Sequence, residues 1–253
     1  MLGSLASACD TDDEQTSLRI AAYGEEYVED LIPAADVVDG WEIELSRMLV
    51  VLSDVEADGV ALPGSYVVDL RTSSMGQGHA LGELMLPSGD APHLAYRIAP
   101  VAQAEPVAAT AEDVLTMVDE GLSILVEGQA TRGGETIAFS WRFATDTRYE
   151  ECHAASALSA GGEVSSQLTI HADHLFFDDL DSPEPNVAFD LIAQADGNGD
   201  GEVTMEEMRA VDITGQARYQ VGSREITDLW SFIEAQTTQV GHIDGEGHCE
   251  VGS

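Results

Sequence analysis

The sequence predicts a mainly β protein, an antiparallel sandwich or open barrel that ends in a helix–loop–helix and a short tail helix. Three observations carry that prediction. Short apolar runs recur along the chain, separated by turn-forming clusters such as Pro87-Ser88-Gly89-Asp90 and Arg132-Gly133-Gly134. Period-two alternation is plain at Trp41-Glu42-Ile43-Glu44-Leu45, as in a half-buried strand. Helical periodicity is confined to a few segments, and many strands with few helices suit a sandwich or barrel.

Along the chain, residues 18–23 form a short apolar run and an acidic patch follows over 25–30. The alternation at 41–45 continues into the buried run 48–52. Further strands are predicted over 64–70, 80–86, 93–98, 122–127, 136–144 and 164–171. Residues 111–120 form the best helix of this half, with Val114, Leu115 and Val118 on one face. In the last of these strands Leu168 and Ile170 point to one side, Thr169 and His171 to the other. Residues 225–236 read as the tail helix, with Leu229, Phe232 and Ile233 on one side. The sequence shows no repeat, no membrane-spanning apolar stretch and no glycine loop of the phosphate-cradling kind.

At 44% hydrophobic over 253 residues, the chain can bury a proper core, which argues against wholesale disorder. Its 47 acids face 10 basic residues, all of them arginine, for a formal net charge of −37. Such a surface repels nucleic acid and anionic membrane, both of which need a basic footprint. It attracts cations. For most of these acids solubility or a salty habitat is explanation enough.

One twelve-residue stretch stands apart from that background: Asp196-Gly197-Asn198-Gly199-Asp200-Gly201-Glu202-Val203-Thr204-Met205-Glu206-Glu207. Oxygen-bearing side chains occupy positions 1, 3, 5, 9 and 12, as Asp196, Asn198, Asp200, Thr204 and Glu207. Glu202 at position 7 would offer its backbone carbonyl. Gly201 at position 6 permits the sharp turn that brings these oxygens round one point. The stretch resembles the EF-hand calcium loop, and Phe189, Ile192 and Ala195 supply an apolar face to the helix before it. The resemblance implies Ca²⁺ bound by those six residues. EF-hands usually pair through position 8, here Val203, and no second loop is present, so a lone hand must lean on the rest of the domain or on a second molecule.

The cysteines bear on location. Leu5-Ala6-Ser7-Ala8-Cys9-Asp10 resembles the lipobox of bacterial lipoproteins. That resemblance implies a lipid-bearing Cys9, with residues 1–17 a truncated export signal and an acidic tether. Membrane contact would then run only through the anchor at Cys9, and the protein would be exported, lipid-anchored or periplasmic/extracellular. Cys152 and Cys249 remain as an even pair, a disulfide in an exported protein or two free thiols in a cytoplasmic one. The domains expected are a β-rich unit over 18–175 and, over 176–253, the calcium segment with a His/Cys tail packed on it.

Histidine is a common ligand for zinc and copper, and four of the seven fall in two clusters. His171 and His174 flank Asp173 at a strand end; His242 and His248 lie just before Cys249. A Cys152–Cys249 bridge would bring the clusters together, with His153 near them. Thr169 stands where the His-x-His-x-Asp-His signature of metallo-β-lactamase-like hydrolases has its first histidine, and no βαβ pattern surrounds it, so that family is not indicated. No Gly-x-Ser-x-Gly elbow or activated cysteine is present. Two functions follow: a non-enzymatic calcium protein with the ion as structural clamp, or a periplasmic or surface metalloprotein using zinc or copper for storage or catalysis.

Overall fold

The computed structural model describes residues 15–252. Cys9 and most of the tether segment lie outside the described residues. β1 (Gln15–Tyr23) runs into a five-residue helix, α1 (Glu25–Glu29), where the acidic patch lies. β2 (Glu42–Ala57) is followed by the short β3 (Val60–Ala61) and β4 (Tyr66–Asp69). Next come β5 (His79–Pro87), β6 (His93–Ile98) and β7 (Glu105–Val107), then helix α2 (Ala111–Asp119). β8 (Ile124–Arg132), β9 (Glu135–Phe143), β10 (Thr147–His153) and β11 (Glu163–Ile170) complete the first part. The last part holds α3 (Asp190–Gln194), β12 (Glu202–Val203), α4 (Met205–Arg209) and α5 (Leu229–Gln236). β13 (Gly241–Ile243) and β14 (Glu250–Val251) end the described chain.

The strands form two sheets in a sandwich-like arrangement. One has four strands in the order β13-β11-β1-β5; the other has ten, running β12-β9-β8-β2-β6-β10-β14, with β3, β4 and β7 beside that path. Most strand pairings are antiparallel, and three are parallel: β1 with β11, β4 with β7 and β12 with β9. Neither sheet closes into a barrel among the described residues. The C-terminal segment is woven into both, giving β13 to the small sheet and β12 and β14 to the large one.

β2 shows why an unbroken apolar run belongs in this fold. Met48, Val50 and Leu52 belong to the main core, together with Ile20, Trp141, Leu168 and Trp230. Leu49 and Val51 face the other way, into a second cluster with Met117 and Leu125. Both faces are covered, so alternation disappears. Helix α2 provides the second cover, with Val114 of the expected face packed against the second cluster but Leu115 turned out. Met117 and Asp113 turn inward. Asp113 is tolerated there because Thr110 and Arg47 both donate to its carboxylate.

Cys152 and Cys249 form a disulfide across 97 positions of sequence. It joins β10 to the chain just before β14, which pairs with β10 at Tyr149 and Glu150. The calcium-type loop and both histidine clusters fall inside the closed segment.

Candidate metal centres

The acidic loop is tied to the β scaffold from both sides. Helix α3 has no cap of its own; the backbone N–H groups of Phe189 and Asp190 donate to Oδ2 of Asp39, at 2.9 and 2.7 Å. Asp190 accepts from the Trp41 indole at 3.0 Å and pairs with Arg132 at 2.7 Å. Arg132 in turn lies 4.5 Å above the Trp41 ring.

Within the loop, Oδ1 of Asp196 accepts from the N–H groups of Gly199 (2.7 Å) and Asp200 (3.2 Å), and Oδ2 from that of Gly201 (2.9 Å). Asn198 and Asp200 each accept from the N–H two residues on, at 2.8 and 3.0 Å. This winding needs positive φ at Gly199 (74°) and Gly201 (83°), which a glycine adopts without steric cost. Val203 is fully buried and sits opposite Phe139 in the parallel β12–β9 pairing, while Ala138 donates to the Gly201 carbonyl. The position through which EF-hands usually find each other is therefore satisfied by the protein's own sheet.

Glu207 takes a different place from the one expected of it. Its Oε2 accepts from the Thr204 N–H and hydroxyl, at 3.0 and 2.9 Å, while Thr204 caps the Glu207 N–H. Positions 9 and 12 of the loop thus form the capping box of α4. Asp196, Asp200 and Glu207 are not among the side-chain sets whose ligand atoms lie within 4.8 Å of one another.

Among the described residues, two such sets exist, His171–Asp173–His174 and His171–His242–Glu246, and both contain His171. The fold assembles them from three places. β1 and β11 run parallel with Tyr23 opposite Thr169, so the residues two beyond each, Glu25 and His171, meet at 3.7 Å. The 3₁₀ turn Asp173–Phe176 brings His174 back to His171, ring centroids 5.1 Å apart. β13 pairs with β11, and His242 lies 4.5 Å from His171 and 5.1 Å from His174. The Asp244 carboxylate fixes the following turn by accepting from Ala155, Ser166 and Gln167.

No protein family, curated protein or solved structure matches this chain. The two centres therefore rest on their own chemistry.

His171 and His242 are buried, at 5% and 9% exposure. His174 holds its Nδ1 against the Gln239 carbonyl at 2.8 Å. Nδ1 of His242 and Oδ1 of Asp173 are buried without a hydrogen-bond partner. Burial, with the neighbouring His171 adding to it, lowers His174 and His242 to about 4. Burial pushes the Asp173 carboxyl up, against the pull of His171, and Glu25 likewise. His248 is exposed, 5.6 Å from His242, and belongs to neither converging set. His153 packs edge-on against His93 at 4.0 Å instead of joining the cluster. Glu25 and Glu246 were not signalled by sequence spacing, because a parallel strand pairing and a turn bring them in.

Proposed function

We propose that this is an exported, non-enzymatic calcium-binding protein whose loop 196–207 takes Ca²⁺ as a structural clamp. The observation that carries the reading is the pairing of Val203 with Phe139, which makes the loop an edge of the ten-stranded sheet. An ion held by Asp196, Asn198, Asp200, the Glu202 carbonyl, Thr204 and Glu207 would fasten α3 and α4 to that edge. Asp196, Asn198 and Asp200 are already wound by backbone hydrogen bonds; Glu207 would turn from the Thr204 cap to complete the ring. Its interaction with the ion would replace two hydrogen bonds, which lowers affinity in keeping with a single hand bearing three carboxylates. Extracellular modules of this kind bind at about 10⁻⁴–10⁻³ M.

Export is supported by the Cys152–Cys249 disulfide, since such bonds persist in oxidising compartments. A lipid on Cys9 would anchor the protein to a bacterial membrane through the acidic tether.

Calorimetry with Ca²⁺ on the wild type and on Glu207→Gln tests the assignment. Heat is expected from the wild type and little from the variant. Equal titrations would reject the loop as the site.

A further inference from the structure

The histidine cluster calls for an explanation that the calcium loop does not supply. Three imidazoles lie within 4.5–5.1 Å of one another, ring centroid to ring centroid, beside two carboxylates. Buried polar atoms nearly always find a partner, yet Nδ1 of His242 and Oδ1 of Asp173 have none. His242 is 91% buried, as its 9% exposure shows, and lines a cleft of about 350 Å³ with His174, Glu246 and His248. His171 is turned toward acids, with Nδ1 3.7 Å from Glu25 and 3.9 Å from Asp173.

We propose that His171, His242 and Glu246 form a Zn²⁺ centre that opens into the cleft lined by the last two. Their ligand atoms lie within 4.8 Å of one another, and His174 and Asp173, which make the other set with His171, stand beside them. The donor chemistry selects the ion. Imidazole and carboxylate suit a borderline divalent metal, whereas Ca²⁺ takes oxygen alone. Thiolate-seeking Cu⁺ is disfavoured, because the nearby sulfur of Cys249 is committed to the disulfide. The Gln239 carbonyl accepts from Nδ1 of His174 and so holds that ring in place beside His171 and His242. Two histidines and one carboxylate are three protein ligands, the count of sites that keep a position for water or a small ligand. The cleft gives that position access to solvent. This inference is independent of the calcium reading, since the two centres share no residue.

The test uses the full chain, stripped with a chelator and dialysed against Zn²⁺. One equivalent of zinc is expected by elemental analysis, absent from His171→Asn and bound about 10-fold or more weakly by Glu246→Gln. Glu246 is exposed on a turn, so the second variant leaves the fold intact even if the first does not. Glu207→Gln should keep its zinc while losing calcium heat, which separates the two readings. Substituting Co²⁺ gives visible bands that should shift when imidazole is added, reporting the open position. Zinc that is absent, that binds both histidine-site variants as tightly as the wild type, or that is lost only in Glu207→Gln would overturn the proposal. A cobalt spectrum indifferent to imidazole would overturn the open position.

Discussion

Val203 lies beside Phe139 in parallel register, so the midpoint of an acidic surface loop is also the outermost strand of the large sheet. An unpaired sheet edge exposes backbone donors and acceptors, and a loop that covers it removes that liability. The same contact gives the loop a packing partner within its own chain. Order in the loop and order at the edge of β9 are therefore coupled.

Replacing Val203 by alanine tests that coupling. The side chain is fully buried, and removing two methyl groups should cost about 2 kcal/mol, with the resulting cavity included. Urea unfolding with and without Ca²⁺ should show the loss and, beside it, a weaker response to calcium. An unchanged calcium response would mean that the loop does not depend on the sheet.

Calcium removal should act on stability in the wild type alone. With the ion at about 100 times its dissociation constant the native state gains about 2.7 kcal/mol. For a chain of this length that is a melting shift of roughly 5–10 °C. Chelation should produce such a drop in the wild type and none in Glu207→Gln.

What the residues revealed by themselves was whatever local periodicity records. Strands near 41–52, 93–98 and 136–144 were legible, because each buries its side chains in a regular pattern. β10 was not: its register shifts between Tyr149 and Cys152, which breaks the alternation, and Glu150 and Glu151 sit in the irregular part. The inward turn of Asp113 on α2 escaped the periodicity because part of what satisfies its carboxylate, Arg47, lies 66 positions away. A Cys152–Cys249 bridge brought His171, His174, His242 and His248 together on the sequence; the first three do cluster, while His248 stands in neither converging set. Glu25 could not be foreseen there, because nothing local announces that β1 runs parallel to β11.

Asp113→Asn should show how the charge on that carboxylate serves α2. Burial pushes its pKa up, but the Thr110 N–H and hydroxyl and the Arg47 guanidinium outweigh it and hold it below the usual carboxylate range. A lowered folded-state value means stability present above the unfolded pKa and lost as pH falls through the folded one. The variant should therefore be about 1–2 kcal/mol less stable than wild type at neutral pH. That difference should shrink under acid, below the ordinary range of aspartate. A gap that stays constant with pH would assign the effect to shape and not to charge.

The disulfide should matter more than any single contact. Its closure spans 97 residues, for which the chain-entropy estimate is about 4–5 kcal/mol. A double Cys152→Ser, Cys249→Ser variant should lose stability on that scale in urea. Because Cys249 lines the cleft, its zinc binding should weaken as well, with calcium heat retained.

Gly241 gives the sharpest link between packing and the histidine centre. Tyr96 and Tyr149 stack at 4.8 Å, and a Cβ on Gly241 would come within 2.5 Å of the Tyr96 hydroxyl and the Tyr149 ring. Both rings are fully buried, and the Tyr96 hydroxyl donates to the His242 carbonyl at 3.0 Å, so neither can move freely. Gly241→Ala must then push β13 away from the rings, at about 1–3 kcal/mol for an overpacked core. The displaced residue is His242 itself. Thermal melts should record the lost stability, and zinc titration a weaker site, while the calcium loop, built from other elements, keeps its heat. Zinc affinity equal to wild type in a destabilised Gly241→Ala protein would show that His242 is not a ligand.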